Sequence, residues 1–345
     1  LRRTRRWERR DSLCAALEDR GGPSVVEARV RRLLEATLLE SIGRPRHPGE
    51  RAMAAWEGWN PAAGFFHSAT RDQLYTGPPA EPSHGGLVSA RTEPPVLKRM
   101  EGPRTPLPAY ERDDELSATL RARRTWRRFG SGPIPHESLA RLLGATWGVQ
   151  AWVGDPPAAL KTSPSGGAKH AHEAYVVARD VEGLGAGTYH YDPDRHELVG
   201  LDAPADVDPV PFLAGQAWFE GAAALVFMTC VFERIQYKYR FARAYRVALM
   251  EAGHLAQTFL LVATQLGLAP FCTAALADSA VEAHLGLDGV RETVLYAVGV
   301  GVRPDGVAWA PRPSPEEAPW PTEEALPRWR LPTHAGGSGP HGEEP

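Results

Sequence analysis

Over residues 243–267, RAYRVALMEAGHLAQTFLLVATQLG, apolar side chains recur at steps of three and four through Tyr245, Leu249, Ala252, Leu255, Ala256, Phe259, Ala263 and Leu266. That is the helical period, so the stretch predicts a long core helix, with Gly267 where a C-terminal cap belongs. Shorter runs of the same kind are HESLARLLGATW, after Pro135, and DELSATLRARR, with Asp113 as its N-cap. Residues 25–41 set Val26, Val30, Leu33, Leu34 and Leu38 on one face and interleave Arg29, Arg31, Arg32 and Glu35, which predicts a surface helix. Elsewhere the period falls to two. EAYVVARD, TYHYD and HELVGL read as short half-buried strands separated by Gly and Asp-Pro turns, and AAALVFMTCVF as a strand buried on both faces at the centre of a sheet. LAPFCTAAL and TVLYAVGVGV read as further strands flanking a short helix in DSAVEAHLGL. The fold class is α+β.

Between Gly43 and Pro108 no period is sustained. Pro, Gly, Trp and His interrupt it, so the segment reads as extended and partly ordered, with Trp59, Phe65, Phe66 and Tyr75 available for packing. From Pro311 the chain is Pro-rich and ends in THAGGSGPHGEEP, with too little apolar surface to offset ordering entropy. The division expected is an N-terminal accessory region over 1–105, a main domain over 106–310 and a partly disordered tail over 311–345.

A length of 345 residues allows one large core or two modest ones, and a net charge of -3 lacks the basic excess of a nucleic-acid binder. Six arginines among the first ten residues read as a solvated end, and no apolar run follows them as in a signal segment. No stretch approaches the roughly 20 apolar residues that span a bilayer, so a soluble, cytoplasmic protein is expected. Cys14, Cys230 and Cys272 lie too far apart in sequence for a disulfide framework or a CxxC site, and no metal is expected.

Several chemical signals weaken on inspection. Gly183-Leu184-Gly185-Ala186-Gly187 is similar to a dinucleotide loop, but a strand follows it rather than a helix N-terminus, so it reads as a turn. Glu251 and His254 form a Glu-x-x-His without the second copy that a di-iron bundle needs, which leaves helix packing or a polar pocket wall. His170 and His172 would share one face of a strand with no third ligand. No GxSxG elbow is present. Three clusters keep more interest. RRTWRRFGSGPIP concentrates Arg123, Arg124, Arg127 and Arg128 with Thr125, fit either for a phosphate or for a solvated helix end. SPSGGAKH supplies Ser163, Pro164, Ser165, Gly166 and Gly167, whose small side chains allow a flat ligand to approach the main chain or simply make a loop. QYKYRFARAYR crowds Lys238 and Tyr239 with Arg240, Arg243 and Arg246, suited to proton exchange or to holding acidic neighbours at a helix entry.

Taken in order, RRTWRRF, SPSGGAKHAHEAYVV, GTYHYDPDRHEL, YKYRFARAYRVALMEAGHLAQ and LGLAPFCTAALAD resemble the SagB-type dehydrogenases of the FMN-dependent nitroreductase superfamily, from about Leu116 to Arg303. The resemblance implies a nitroreductase-like fold: a central, mostly antiparallel sheet flanked by helices, with FMN at a homodimer interface. It assigns the FMN phosphate and ribityl chain to Arg123, Arg124, Thr125 and Arg127, and contact with the flavin ring to Pro164, Ser165, Gly166 and Gly167. Arg303 is a further candidate by position. Lys238 and Tyr239 match the catalytic Lys-Tyr pair of the family. The activity implied is oxidation of thiazoline or oxazoline rings to azoles in a ribosomally made precursor peptide, with oxygen reoxidising the flavin and cyclodehydratase proteins as partners. Arg240 departs from the pattern, since a small residue commonly follows the pair. Two other readings stand beside it: an NAD(P)H-dependent reductase of nitro groups, quinones or dehydroamino acids, and a non-catalytic scaffold subunit. The accessory region, by the same resemblance, would be a winged-helix or peptide-recognition unit.

Overall fold

In the computed structural model the described residues are 22–35, 54–56, 59, 61–72, 97, 98, 100–108, 114–204, 207–214 and 219–306. Among them the alternating segments form eight strands: β1 (Ala151–Val153), β2 (Ala158–Leu160), β3 (His172–Ala178), β4 (Gly187–Asp192), β5 (Glu197–Gly200), β6 (Ala224–Val231), β7 (Ala269–Thr273) and β8 (Glu292–Gly301). The helical segments are α1 (Pro23–Glu35), α2 (Pro61–Ala69), α3 (Glu115–Ala122), α4 (His136–Trp147), α5 (Phe232–Lys238), α6 (Ala244–Gln265) and α7 (Asp278–Leu285). The chain divides into two compact units, Leu1–Ala54 and Ala55–Pro345. In the first, α1 buries Val26 and Val30 and exposes Arg29, Arg31 and Arg32, as its spacing predicts; positions 36–41 lie outside the described residues.

In the second unit six strands make one sheet in the order β5-β4-β3-β6-β8-β7, every neighbouring pair antiparallel. Alternation sorts its side chains into two cores. Val176, Ala224, Val226 and Met228 meet α4 and α6 through Leu139, Trp147 and Phe259, while Val177, Leu225 and Phe227 meet Phe271, Val281 and Leu285 on the other face. Phe227, Phe259 and Phe271 are fully buried. Each contributes about 2–3 kcal/mol of apolar transfer, so the sheet and α6 are the rigid frame to which loops attach. At the C-terminus of α6, Gly267 takes φ +74°, the left-handed conformation that its capping position requires.

Four expectations need correction. Helix α2 lies in the stretch read as extended; it is held by contacts distant in sequence, through His67, whose ring nitrogens lie 3.2 Å from the Tyr245 hydroxyl and 3.1 Å from the Gly289 carbonyl. The cap of α3 is Asp114, whose carboxylate accepts the Ser117 N–H at 2.8 Å; the helix stops at Ala122, and Asp113 lies outside the described residues. Lys238 and Tyr239 do not run straight into the core helix. Lys238 ends the separate helix α5, and a break over 239–243 precedes α6. Finally, α6 is by length and composition long enough to cross a membrane, contrary to the reading of its sequence, yet half of it is buried as a core helix. The hairpin of β1 and β2 also went unread, although Gly154-Asp155-Pro156 is a turn signal between two short apolar runs.

Candidate functional site

The SPSGG segment becomes a loop fastened along α6 by a series of side chains. The Ser163 hydroxyl lies 2.8 Å from that of Thr258, and the Pro164 carbonyl lies 3.3 Å from His254 Nδ1. Glu251, buried in the helix, accepts the Gly166 N–H at 2.6 Å. The Ser165 hydroxyl accepts the His170 N–H at 2.8 Å and closes the loop on itself. Burial raises the pKa of Glu251, and its hydrogen bonds with Gly166 and Ser165 oppose that shift. The Glu-x-x-His of the core helix is therefore a polar wall, one of the two roles expected, and its partner is the glycine loop.

Lys238 and Tyr239 pack directly on that loop. Gly167 holds φ +63°, and a Cβ placed on it would stand 2.5 Å from both Cδ and Nζ of Lys238. A Cβ on Gly166 would stand 2.9 Å from Val247 Cγ1 and 3.5 Å from Tyr239 Cε2. Glycine at 167 is favoured by its left-handed conformation, and the space beside it is filled by the flexible end of Lys238. The Lys238 ammonium lies 5.6 Å from the centroid of the Tyr239 ring, and the Trp59 indole N–H donates to the Tyr239 carbonyl at 2.9 Å. Lys238 is exposed and Tyr239 half-buried.

The arginine segment is anchored differently, by its main chain. The Trp126 N–H donates to the Pro270 carbonyl at 2.9 Å and the Gly130 N–H to the Val302 carbonyl at 2.8 Å, which lays 126–130 along the ends of β7 and β8. Arg303 comes to the same place: its guanidinium sits 5.5 Å from the Trp126 ring centroid and donates to the carbonyls of Leu268 and Thr264 at 2.9 and 3.2 Å. Arg124 donates from one nitrogen to the carbonyls of Arg121 and Arg123, and its Nε is buried without a partner. Burial, then the neighbouring Arg123 charge, lowers the Arg124 pKa. Arg123 and Thr125 are half-buried beside it, and Arg127 and Arg128 are exposed.

The structure thus brings Arg123, Arg124, Thr125 and Arg127 near Arg303, and Pro164, Ser165, Gly166 and Gly167 near Lys238 and Tyr239. The loop is tied to α6 at Glu251, His254 and Thr258, and Arg303, beside Trp126, is tied to Thr264 further along the same helix.

Among the other sequence signals, Gly183–Gly187 is a turn leading into β4, as read. His172 opens β3 but His170 precedes it at φ +43°, so the two do not share a strand face. Complete burial pushes the His172 pKa down to about 4. Among the described residues no group of three His, Cys, Asp or Glu is arranged to hold a metal. One polar cluster escaped the sequence reading altogether. Glu173 is paired with His190 at 2.8 Å and with Arg234, beside Lys161, in a cleft behind the glycine loop. No local motif announces it, because four separate segments contribute one residue each.

Residues 120–302 match the nitroreductase family. Among curated proteins, the chain is 32% identical over 188 residues to a nitroreductase candidate, MJ1384, of Methanocaldococcus jannaschii, covering 54% of this chain and 90% of that protein. It is 33% identical over 142 residues to the trifolitoxin-processing protein TfxB of Rhizobium leguminosarum bv. trifolii, covering 40% of this chain and 38% of that protein. It is 33% identical over 141 residues to the microcin B17-processing protein McbC of Escherichia coli, covering 39% of this chain and 51% of that protein. The chain therefore spans about half or less of the two processing proteins. Of solved structures, a nitroreductase candidate from Anabaena variabilis aligns at TM-score 0.46 and 29% identity, over 55% of this chain and 38% of that one.

Proposed function

The chain belongs to the nitroreductase family, and from that premise we propose that it binds FMN and oxidises azoline rings to azoles in a ribosomally made peptide. The observation that carries the reading is the packing of Lys238 and Tyr239 on Gly166 and Gly167, which sets two proton-exchanging groups on the loop expected to face a flavin. The similarity to two peptide-processing proteins supports a peptide substrate and partner proteins of the cyclodehydratase kind.

The residues fit the cofactor. The unpartnered Arg124 Nε offers a donor to a phosphate, with Arg123, Thr125 and Arg127 beside it. The glycine loop would hold the ring through Pro164, Ser165, Gly166 and Gly167. When bound, FMN supplies acceptance of a hydride, with oxygen as the final acceptor. Conversion of azoline to azole removes one ring proton and one hydride; the proton would go to Lys238 Nζ in its free-amine form or to Tyr239 Oη in its phenolate form. Membership of the nitroreductase family supports a homodimer with FMN between the two copies.

The first test is the visible spectrum of the purified protein. A flavin spectrum and release of about one FMN per chain on denaturation are expected; a colourless protein that takes up no added FMN overturns the proposal and leaves the scaffold reading. The pair is tested by Lys238→Ala and Tyr239→Phe. Retained FMN with lost azole formation in at least one is expected, and full turnover in both overturns the assignment. The similarity to MJ1384 favours a second reading, NAD(P)H-dependent reduction of a nitro group, quinone or dehydroamino acid. Rapid bleaching of the flavin by NAD(P)H would select it.

A further inference from the structure

Behind the glycine loop the hairpin of β1 and β2, the start of β3, the end of β4 and α5 enclose a cleft of about 790 Å³, the size of a ligand site. Its formal charges balance once Arg195 is counted with Asp192, but they are not all paired. Of its acidic side chains, Glu173 is held by Arg234 and His190. Asp192 is held by the Arg195 N–H and guanidinium, each at 3.1 Å. Asp194 accepts the Trp152 indole N–H at 2.8 Å. Glu233 stands exposed to solvent on α5. On the basic side, Arg234 is committed to Glu173 and to the His170 carbonyl. Two cations remain. Among the described residues Lys161 is half-buried with no hydrogen bond or ion pair, and Lys169 has only the Tyr237 ring, its Nζ 5.2 Å from the centroid.

We propose that this cleft is a carboxylate-binding subsite for a peptide, with Lys161 as the receptor of the carboxylate, Lys169 as a second cation, and Trp152 and Tyr237 as apolar walls. The one guanidinium among the lining residues is already engaged by Glu173, which leaves the two ammonium groups to receive an anion. An ammonium in a partly desolvated cleft suits a single carboxylate. Burial lowers the Lys161 pKa, with Glu173 opposing and Arg234 reinforcing the shift, so a carboxylate ligand would hold its charge in place. Trp152 and Tyr237 are 55% and 75% exposed, which leaves aromatic surface for the side chains beside the carboxylate. Lys169 lies two residues beyond Gly167 and between Ala168 and His170, both at positive φ, so the strained loop that packs on Lys238 at one end lines the cleft at the other. The choice of a peptide rests on the function proposed above; the anion preference does not.

The test uses the full chain as purified and four fluorescein-labelled hexapeptides, with Asp or Asn between two Phe residues and with an amidated or a free C-terminus. Anisotropy titration should give the amidated Asp peptide at least tenfold tighter binding than the amidated Asn peptide. Lys161→Met should abolish the difference and Lys161→Arg should keep it. A preference for the free C-terminus in the Asn pair, also lost in Lys161→Met, supports the subsite and identifies the terminal carboxylate as its ligand. Equal binding of all four peptides, or a preference that survives in a folded Lys161→Met protein, overturns the proposal. Flavin content measured on the same samples separates the two hypotheses. A Lys161-dependent preference in a protein without FMN overturns the oxidation reading alone, whereas FMN and azole formation with no preference overturns the subsite alone.

Discussion

The glycine loop and the arginine segment stand equally clear in the sequence, yet they are built in opposite ways. The loop is positioned by side chains: Glu251, His254 and Thr258 reach from one helix to its backbone and hydroxyls. The arginine segment is positioned by main-chain hydrogen bonds to Pro270 and Val302, and its Arg124 guanidinium donates to carbonyls of neighbouring residues. The first kind of site has its shape written in residues elsewhere and fails when those change. The second keeps its shape under substitution and loses only its ligand.

The largest effect expected is for Gly167→Val, which meets Lys238 and forces a β-branched residue into the left-handed region. Unfolding free energy should fall by at least about 2 kcal/mol in urea titration, with loss of any bound flavin. An unchanged midpoint would break the contrast. Glu251→Ala should follow at about 1–3 kcal/mol, because it leaves the Gly166 N–H without its acceptor, and Glu251→Gln should cost less than half as much. A pH dependence sharpens this case. With the folded pKa of Glu251 raised above its ordinary 4.5, the native state binds more protons in that interval, so stability declines as pH rises from 4.5 through the folded value. Glu251→Gln should lack that decline in paired titrations. Arg123→Ala, which removes a side chain with no hydrogen bond or ion pair among the described residues, should leave the urea midpoint nearly unmoved while weakening FMN binding about ten- to a hundredfold by fluorescence titration. If stability and affinity fell together, the arginine segment would not be the main-chain platform described. The smallest effect belongs to Arg303→Lys, about 0.5–1 kcal/mol in unfolding, from weakened donation to the carbonyls at the end of α6.

Much of the fold was legible because its signals are local. The period of α6, its Gly267 cap and the alternation in β6 are properties of consecutive residues, and α4 spans the very segment that its apolar spacing marks. Helix α2 was not legible, because what orders it is the burial of His67 beside Tyr245 and Gly289, partners about 180 and 220 positions away. The short α5 was hidden for a different reason: an apolar run carries β6 straight into Phe232, so strand and helix share one pattern. At the candidate site the residue types were readable and their pairings were not. Glu251 showed itself as a polar residue on an apolar helix, but its bond to Gly166 crosses 85 positions of chain. Lys161, Glu173, His190 and Arg234 left no motif, since a loop, two strands of the sheet and α5 meet only in the folded chain.

Trp56 and Trp59 donate to the carbonyls of Val290 and Tyr239, 234 and 180 positions later, and Asp72 accepts the N–H and hydroxyl of Ser279 at the start of α7. A chain emerging from the ribosome therefore makes these residues long before it makes what they bind. At about 5–20 residues per second the two indoles wait on the order of 10–50 s for their acceptors. During synthesis both indoles stay bare until those segments emerge, so an early stretch of this unit closes onto a late one.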